Sequence, residues 1–335
     1  MKLKSKLLGA VAGLASLAAL QAQAAEHSEG ITVAYFLEWP MPFQYAKEMG
    51  MYEEEMGVPI EWVSFDTGTA MSAAMASGDV QISVSQGVPP FVVAASAGQD
   101  IQVLDVAVSY AENDNCVVAS ALEIDKSTAG DLAGKKVAVP LGTAAHYGFL
   151  KQMDHFGVDV ASMDVVDMAP AEGAAALAQG SLDMACGWGG ALRRMKESGN
   201  VLLTGAEKED LGILVFDVTS APADFVAENP DMVAKFLKVT ADANAMWNAG
   251  ENKDEMLEVI AQDAGMDMDA TAETMATFVF PSVEEQLGPK WLGGGAAEFM
   301  DGVAQVFLDA GSIDSKRDSY ADAVAVGPLE SAQGM

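Results

Sequence analysis

The chain has 335 residues, half of them hydrophobic and a fifth charged, enough to bury a substantial core in one large domain or two medium ones. A small staple-dependent scaffold and wholesale disorder are thereby excluded. Asp and Glu number 49 against 18 Lys and Arg, a formal net charge of −31. That field has the wrong sign for nucleic-acid phosphates and for anionic lipid, so an anionic ligand needs locally arranged donors.

Lys2, Lys4 and Lys6 precede an apolar run from Leu7 to Leu20 and small residues at Ala22, Ala24 and Ala25. Residues 1–25 therefore read as a cleavable secretory signal that directs export across the membrane. No later stretch approaches the ~20 apolar residues of a membrane span, and no Cys near the cut suggests a lipid anchor.

After this segment, Ile31–Tyr35 reads as a strand and Phe43–Met49 as part of a helix. Ile60–Phe65 is a strand leading through Asp66-Thr67-Gly68 into a helix, and Val80–Val84 the next strand. The alternation restarts with a strand at Lys135–Pro140 and a helix at His146–Phe156. Val165–Met168, an Ala-rich helix at Pro170–Gln179 and a strand around Met184-Ala185 follow. From Pro230 the pattern is helical, with apolar residues three and four apart through Trp247 and helices near residues 254–263, 271–278 and 298–309. Alternating strands and helices argue α/β, in two lobes with the C-terminal helices on the first. A ligand would bind at the carboxyl ends of the strands, between the lobes.

Cys116 and Cys186 could pair in an oxidising compartment, or could be buried free thiols on apolar strands. Three scattered His with no CxxC or HxxxH spacing offer no metal site, and no nucleophile set points to catalysis.

Phe65-Asp66-Thr67-Gly68, the run Ala76–Ile82, the run Leu132–Pro140, Thr143–Tyr147 and Phe216-Asp217-Val218 together resemble the sulfonate, nitrate and taurine solute-binding family of ABC importers. The order and spacing match from about Thr32 to about Phe236. The resemblance implies a two-lobed type II periplasmic binding protein with a hinge and an inter-lobe ligand cleft. It implies a monomer that uses no cofactor, captures a solute and hands it to an ABC permease. Residues 26–110 would form the first part of lobe 1, 111–215 lobe 2, and 216–335 the return to lobe 1 with its C-terminal helices. The crossings would lie near Val106–Cys116 and Leu211–Thr219. Within the family, Ala144-Ala145-His146-Tyr147 and Phe216-Asp217-Val218 favour taurine, with another small sulfonate or a zwitterionic or cationic solute as the alternative.

Taurine carries a sulfonate and an ammonium. Helix N-termini can supply an anion's donors without Lys or Arg, and two candidate starts are Gln86-Gly87-Val88 and Thr143-Ala144-Ala145-His146. The family often reads Gly-Ser-Ser-Pro where this chain has Gln86-Gly87-Val88-Pro89-Pro90, which keeps backbone donors at Gly87 and Val88 and loses hydroxyls. Thr143 caps a helix whether or not it touches the ligand, and His146 has either a ligand contact or a local capping role. The family's matching aspartate makes Asp217 the ammonium partner, unless strand alternation points it at water. Glu38 could add a second carboxylate, while Trp39 and Trp188 could cover the ligand or pack in the core. Arg193 and Arg194 read as a solvated helix face or as a sulfonate clamp. The same fold also carries enzymes of pyrimidine-precursor synthesis and sensor domains, a reading that export and the lack of a nucleophile set disfavour.

Overall fold

A computed structural model describes residues 30–335; the export segment lies outside the described residues. The first lobe begins β1 (Ile31–Tyr35), α1 (Pro42–Glu48), α2 (Met51–Met56), β2 (Ile60–Ser64), α3 (Gly68–Ser77), β3 (Ile82–Gly87), α4 (Val88–Ser96) and β4 (Ile101–Ser109). Helical crossovers make β1 parallel to both β2 and β3. Every residue of β3 is buried, as expected of a strand covered on both faces.

The second lobe comprises β5 (Asp114–Ala119), β6 (Lys136–Val139), α5 (Ala144–Phe156), β7 (Asp164–Asp167), α6 (Pro170–Ala178), β8 (Met184–Trp188), α7 (Gly189–Lys196), β9 (Gly199–Val201) and α8 (Gly205–Asp210). The chain then returns as β10 (Phe216–Pro222). The two sheets have orders β2-β1-β3-β10-β4 and β7-β6-β8-β5-β9. In each, one strand runs against its neighbours: β10 between β3 and β4, and β5 between β8 and β9. The architecture is α/β in two lobes.

The chain passes between the sheets twice. One passage is Tyr110–Asn113; the other spans residues 202–215, so that by Phe216 the chain is already in the first sheet. The spacing predicts the third strand over Val80–Val84, whereas β3 runs to Gly87. Its last residues pair with β10, Gly87 opposite Asp217, a partner 130 residues away that no local pattern announces. The remaining helices are α9 (Ala223–Glu228), α10 (Pro230–Ala249), α11 (Lys253–Ala264), α12 (Met268–Met275), α13 (Val283–Leu287), α14 (Gly295–Asp309) and α15 (Gly327–Gln333). Their apolar faces join the core of the first lobe. One helix, α14, also reaches α5 of the second lobe, where Phe307 stacks on His146 with ring centroids 5.1 Å apart.

The open question of the cysteines is settled by register. Cys116 on β5 stands directly opposite Cys186 on β8, and the two form a disulfide inside the second lobe.

Candidate functional site

The carboxyl ends of β1, β3, β6 and β8 converge on the cleft between the lobes. At its base is a cavity of about 20 Å³, room for one water molecule. It is lined by Phe36, Gly87, Pro90, Tyr110, Thr143, Ala144, Trp188 and Asp217. Both lobes contribute to its lining.

Asp217 is 2% exposed. Its Oδ2 accepts from the Ser85 hydroxyl at 2.8 Å and its Oδ1 from the Tyr110 phenol. Trp39 Nε1 donates to Ser85 Oγ at 2.8 Å, completing a relay into the core. None of the ion pairs among the described residues includes this carboxyl. Burial pushes its pKa up to about 8, against the lowering effect of the two hydroxyls, and the Asp114 carboxylate adds to the rise. A buried acid served only by neutral donors is electrostatically incomplete, and a cation beside it would restore the charged form.

The other wall is the first turn of α5. Thr143 caps it, its Oγ1 donating to the Pro140 carbonyl at 2.6 Å and accepting from His146 N–H at 3.4 Å. The N–H groups of Ala144 and Ala145 fall in the turn where no intrahelical acceptor exists, at the positive end of a 13-residue helix. The start of α4 is a poorer anion site. Pro89 and Pro90 occupy its second and third positions and carry no N–H, leaving Val88 as the one donor of that turn.

Among the sequence candidates, Gly87, Thr143, Ala144, Trp188 and Asp217 line the cavity. Gly87 leaves room beside the acid, since a Cβ there would stand 3.4 Å from Asp217 Oδ1. Four candidates lie behind the wall. Trp39 is buried and packs edge-on to Tyr110 with ring centroids 4.6 Å apart. Gln86 turns the other way, donating to the Gly68 carbonyl and Ser72 and accepting from Ser220. The side chain of Ala145 belongs to the second-lobe core. His146 accepts from Gly142 N–H at 3.1 Å, and burial holds its pKa down near 4, so it stays neutral. Val88 is buried at the helix start. Glu38 stands farther out and pairs with Arg194 across the cleft, whereas Arg193 reaches Glu197 just past the end of its own helix.

Sequence reasoning missed Phe36, Ser85 and Tyr110. Ser85 sits in β3 between Val84 and Gln86 and has φ 60°, a left-handed conformation costing a non-glycine residue about 1–3 kcal/mol. Glu38, with φ 53°, is another of the few such residues, and both flank the cleft. Tyr110 carried no comparable signal, because its role depends on where the chain leaves the first sheet. Asp114 is also buried, with one carboxylate oxygen unpartnered and its pKa raised to about 7 by burial against the opposing effect of Lys208.

The family model described as NMT1/THI5 like matches residues 40–248. The taurine-binding periplasmic protein of Escherichia coli is 32% identical over 238 residues, 70% of this chain and 71% of that protein. Among solved structures, the alkanesulfonate-binding protein SsuA from Xanthomonas axonopodis pv. citri, bound to MOPS, superposes with a TM-score of 0.72 at 20% identity, covering 89% of this chain and 98% of its own. The desulfurization enzyme DSZB superposes with a TM-score of 0.63 at 14% identity, covering 91% and 99%. The fold is therefore shared by binding proteins and by an enzyme.

Proposed function

The chain belongs to the NMT1/THI5-like family, and from that premise we propose that it is a periplasmic solute-binding protein that captures taurine between its lobes and delivers it to an ABC permease. The observation that carries this reading is the pairing, in one cavity, of a buried Asp217 served only by hydroxyls with the open first turn of α5. One end suits an ammonium and the other a sulfonate, and the aromatic faces of Phe36 and Trp188 suit the short carbon link. An amine-free sulfonate would leave Asp217 uncompensated, so the geometry favours an aminosulfonate over a simple alkanesulfonate.

A catalytic reading has less support. The cavity holds a carboxyl, a phenol, the rings of Phe36 and Trp188 and small residues, with no Cys, Lys or His at its surface to serve as nucleophile. Calorimetry against taurine, an alkanesulfonate, nitrate and choline tests the assignment. Taurine should bind most tightly and be recovered unchanged; preference for another solute, or its turnover, would overturn it.

A further inference from the structure

The outer part of the cleft carries a set of contacts that ligand capture at Asp217 does not use. Glu38 belongs to the first lobe, just beyond β1, where its N–H donates to the Ala264 carbonyl at 2.8 Å. Facing it is the start of α7 in the second lobe. Arg194 Nη1 donates to both carboxylate oxygens of Glu38, at 2.9 and 2.8 Å, and Gly190 N–H approaches the Glu38 carbonyl at 3.4 Å.

Two glycines make the approach possible. A Cβ at Gly189 would stand 2.7 Å from the Glu38 carbonyl oxygen, and one at Gly190 would stand 2.7 Å from Glu38 Oε2. The carboxylate thus rests on the positive end of α7 as well as on the guanidinium. Glu38 and Gly190 are also walls of an outer cavity of about 320 Å³, which shares Phe36 and Trp188 with the inner one. Glu38 thus stands in the wall of the space that adjoins the inner cavity at Phe36 and Trp188.

We propose that Glu38 and Arg194 form a latch that holds the lobes together over the bound solute and sets its rate of release. This rests on the cleft being a ligand site and not on the ligand being taurine. The bond joins residues of different lobes, so it is lost whenever the cleft opens; it therefore slows departure from the closed form and leaves the encounter with the open form unchanged. With side chains 37% and 38% exposed, the pair is screened by salt and of modest strength. That suits a contact that must break each time the solute is passed on.

Stopped-flow release of taurine, followed by tryptophan fluorescence, tests the latch in Glu38→Gln, Arg194→Gln, the double variant and the charge exchange Glu38→Arg with Arg194→Glu. Release should quicken about two- to fivefold in each neutral variant and no further in the double variant. The charge exchange should restore much of the wild-type rate, and association should stay within about twofold. In the wild type alone, release should also quicken with added salt, a readout that needs no variant to fold. Unchanged release, additive effects of the two substitutions, or a change confined to association would overturn the proposal. If taurine does not bind at all, the ligand assignment falls, and release of an alkanesulfonate reads the latch in the same way.

Discussion

Replacing Asp217 with Asn should weaken taurine binding and stabilise the ligand-free protein at the same time. Burial raises this carboxyl from 3.8 to about 8. Between those values the folded state binds a proton that the unfolded chain has released, so its contribution to stability falls as pH rises through that window. At 1.36 kcal/mol per pKa unit, the loss reaches about 4 kcal/mol by pH 7. An amide removes the titration but fits the Ser85 and Tyr110 hydroxyls less well by about 1–3 kcal/mol, so Asp217→Asn should be net stabilising by about 1–3 kcal/mol at pH 7 and net destabilising by about 1–3 kcal/mol near pH 4, where the titration no longer favours the amide. Binding moves the other way. Loss of a charge-assisted bond of about 1.5–3 kcal/mol should weaken taurine roughly 10- to 150-fold while leaving ethanesulfonate nearly unaffected. Urea denaturation at pH 4 and pH 7, with calorimetry for both ligands, measures each arm. A variant less stable than wild type at pH 7, or equal losses for taurine and ethanesulfonate, would refute the assignment of Asp217 to the ammonium.

Because the empty site holds a proton on Asp217 below about pH 8, taurine binding at pH 7 should release protons. Affinity should climb as pH approaches 8, with a limiting slope of about tenfold per unit; calorimetry in buffers of different ionisation enthalpy counts those protons. Tyr110→Phe removes one of the two donors that hold the acid down, so the same pH profile should move to higher pH with a smaller loss of affinity than Asp217→Asn causes. Reducing the Cys116–Cys186 bond, which closes a loop of 70 residues, should lower stability by about 4 kcal/mol on chain-entropy grounds and leave taurine affinity within about twofold, read by urea melts and titration with and without reductant.

Much of the element order was legible in the chain because it rests on local signals. Runs such as Ile31–Tyr35 and Lys136–Val139, the caps at Thr67 and Thr143, and the left-handed glycines Gly78 and Gly157 that end their helices act within a few residues of themselves. The candidates at the second helix start were readable for the same reason, since Thr143 and Ala144 are placed by their own cap. The acidic composition already implied that an anionic ligand would need locally arranged donors.

Tertiary structure decided the rest. Whether Asp217 faces water or a cavity depends on β10 lying between β3 and β4, which pairs residues more than a hundred positions apart. The same pairing carries β3 on to Gly87 and sets Ser85 against the acid, while the passage at Tyr110 delivers the phenol. Trp39 and Trp188 look alike in sequence, each near the carboxyl end of a strand. One is sealed behind Ser85 and packed on Tyr110, while the other lines the cavity. Glu38 meets Arg194 across the cleft only when those lobes come together. Local chemistry therefore determined the elements, their ends and the sign of the field. Which carboxyl is buried, which is paired and what lies between the lobes were determined by long-range contacts, because the cost of burying a charge is set by neighbours that the sequence places far away.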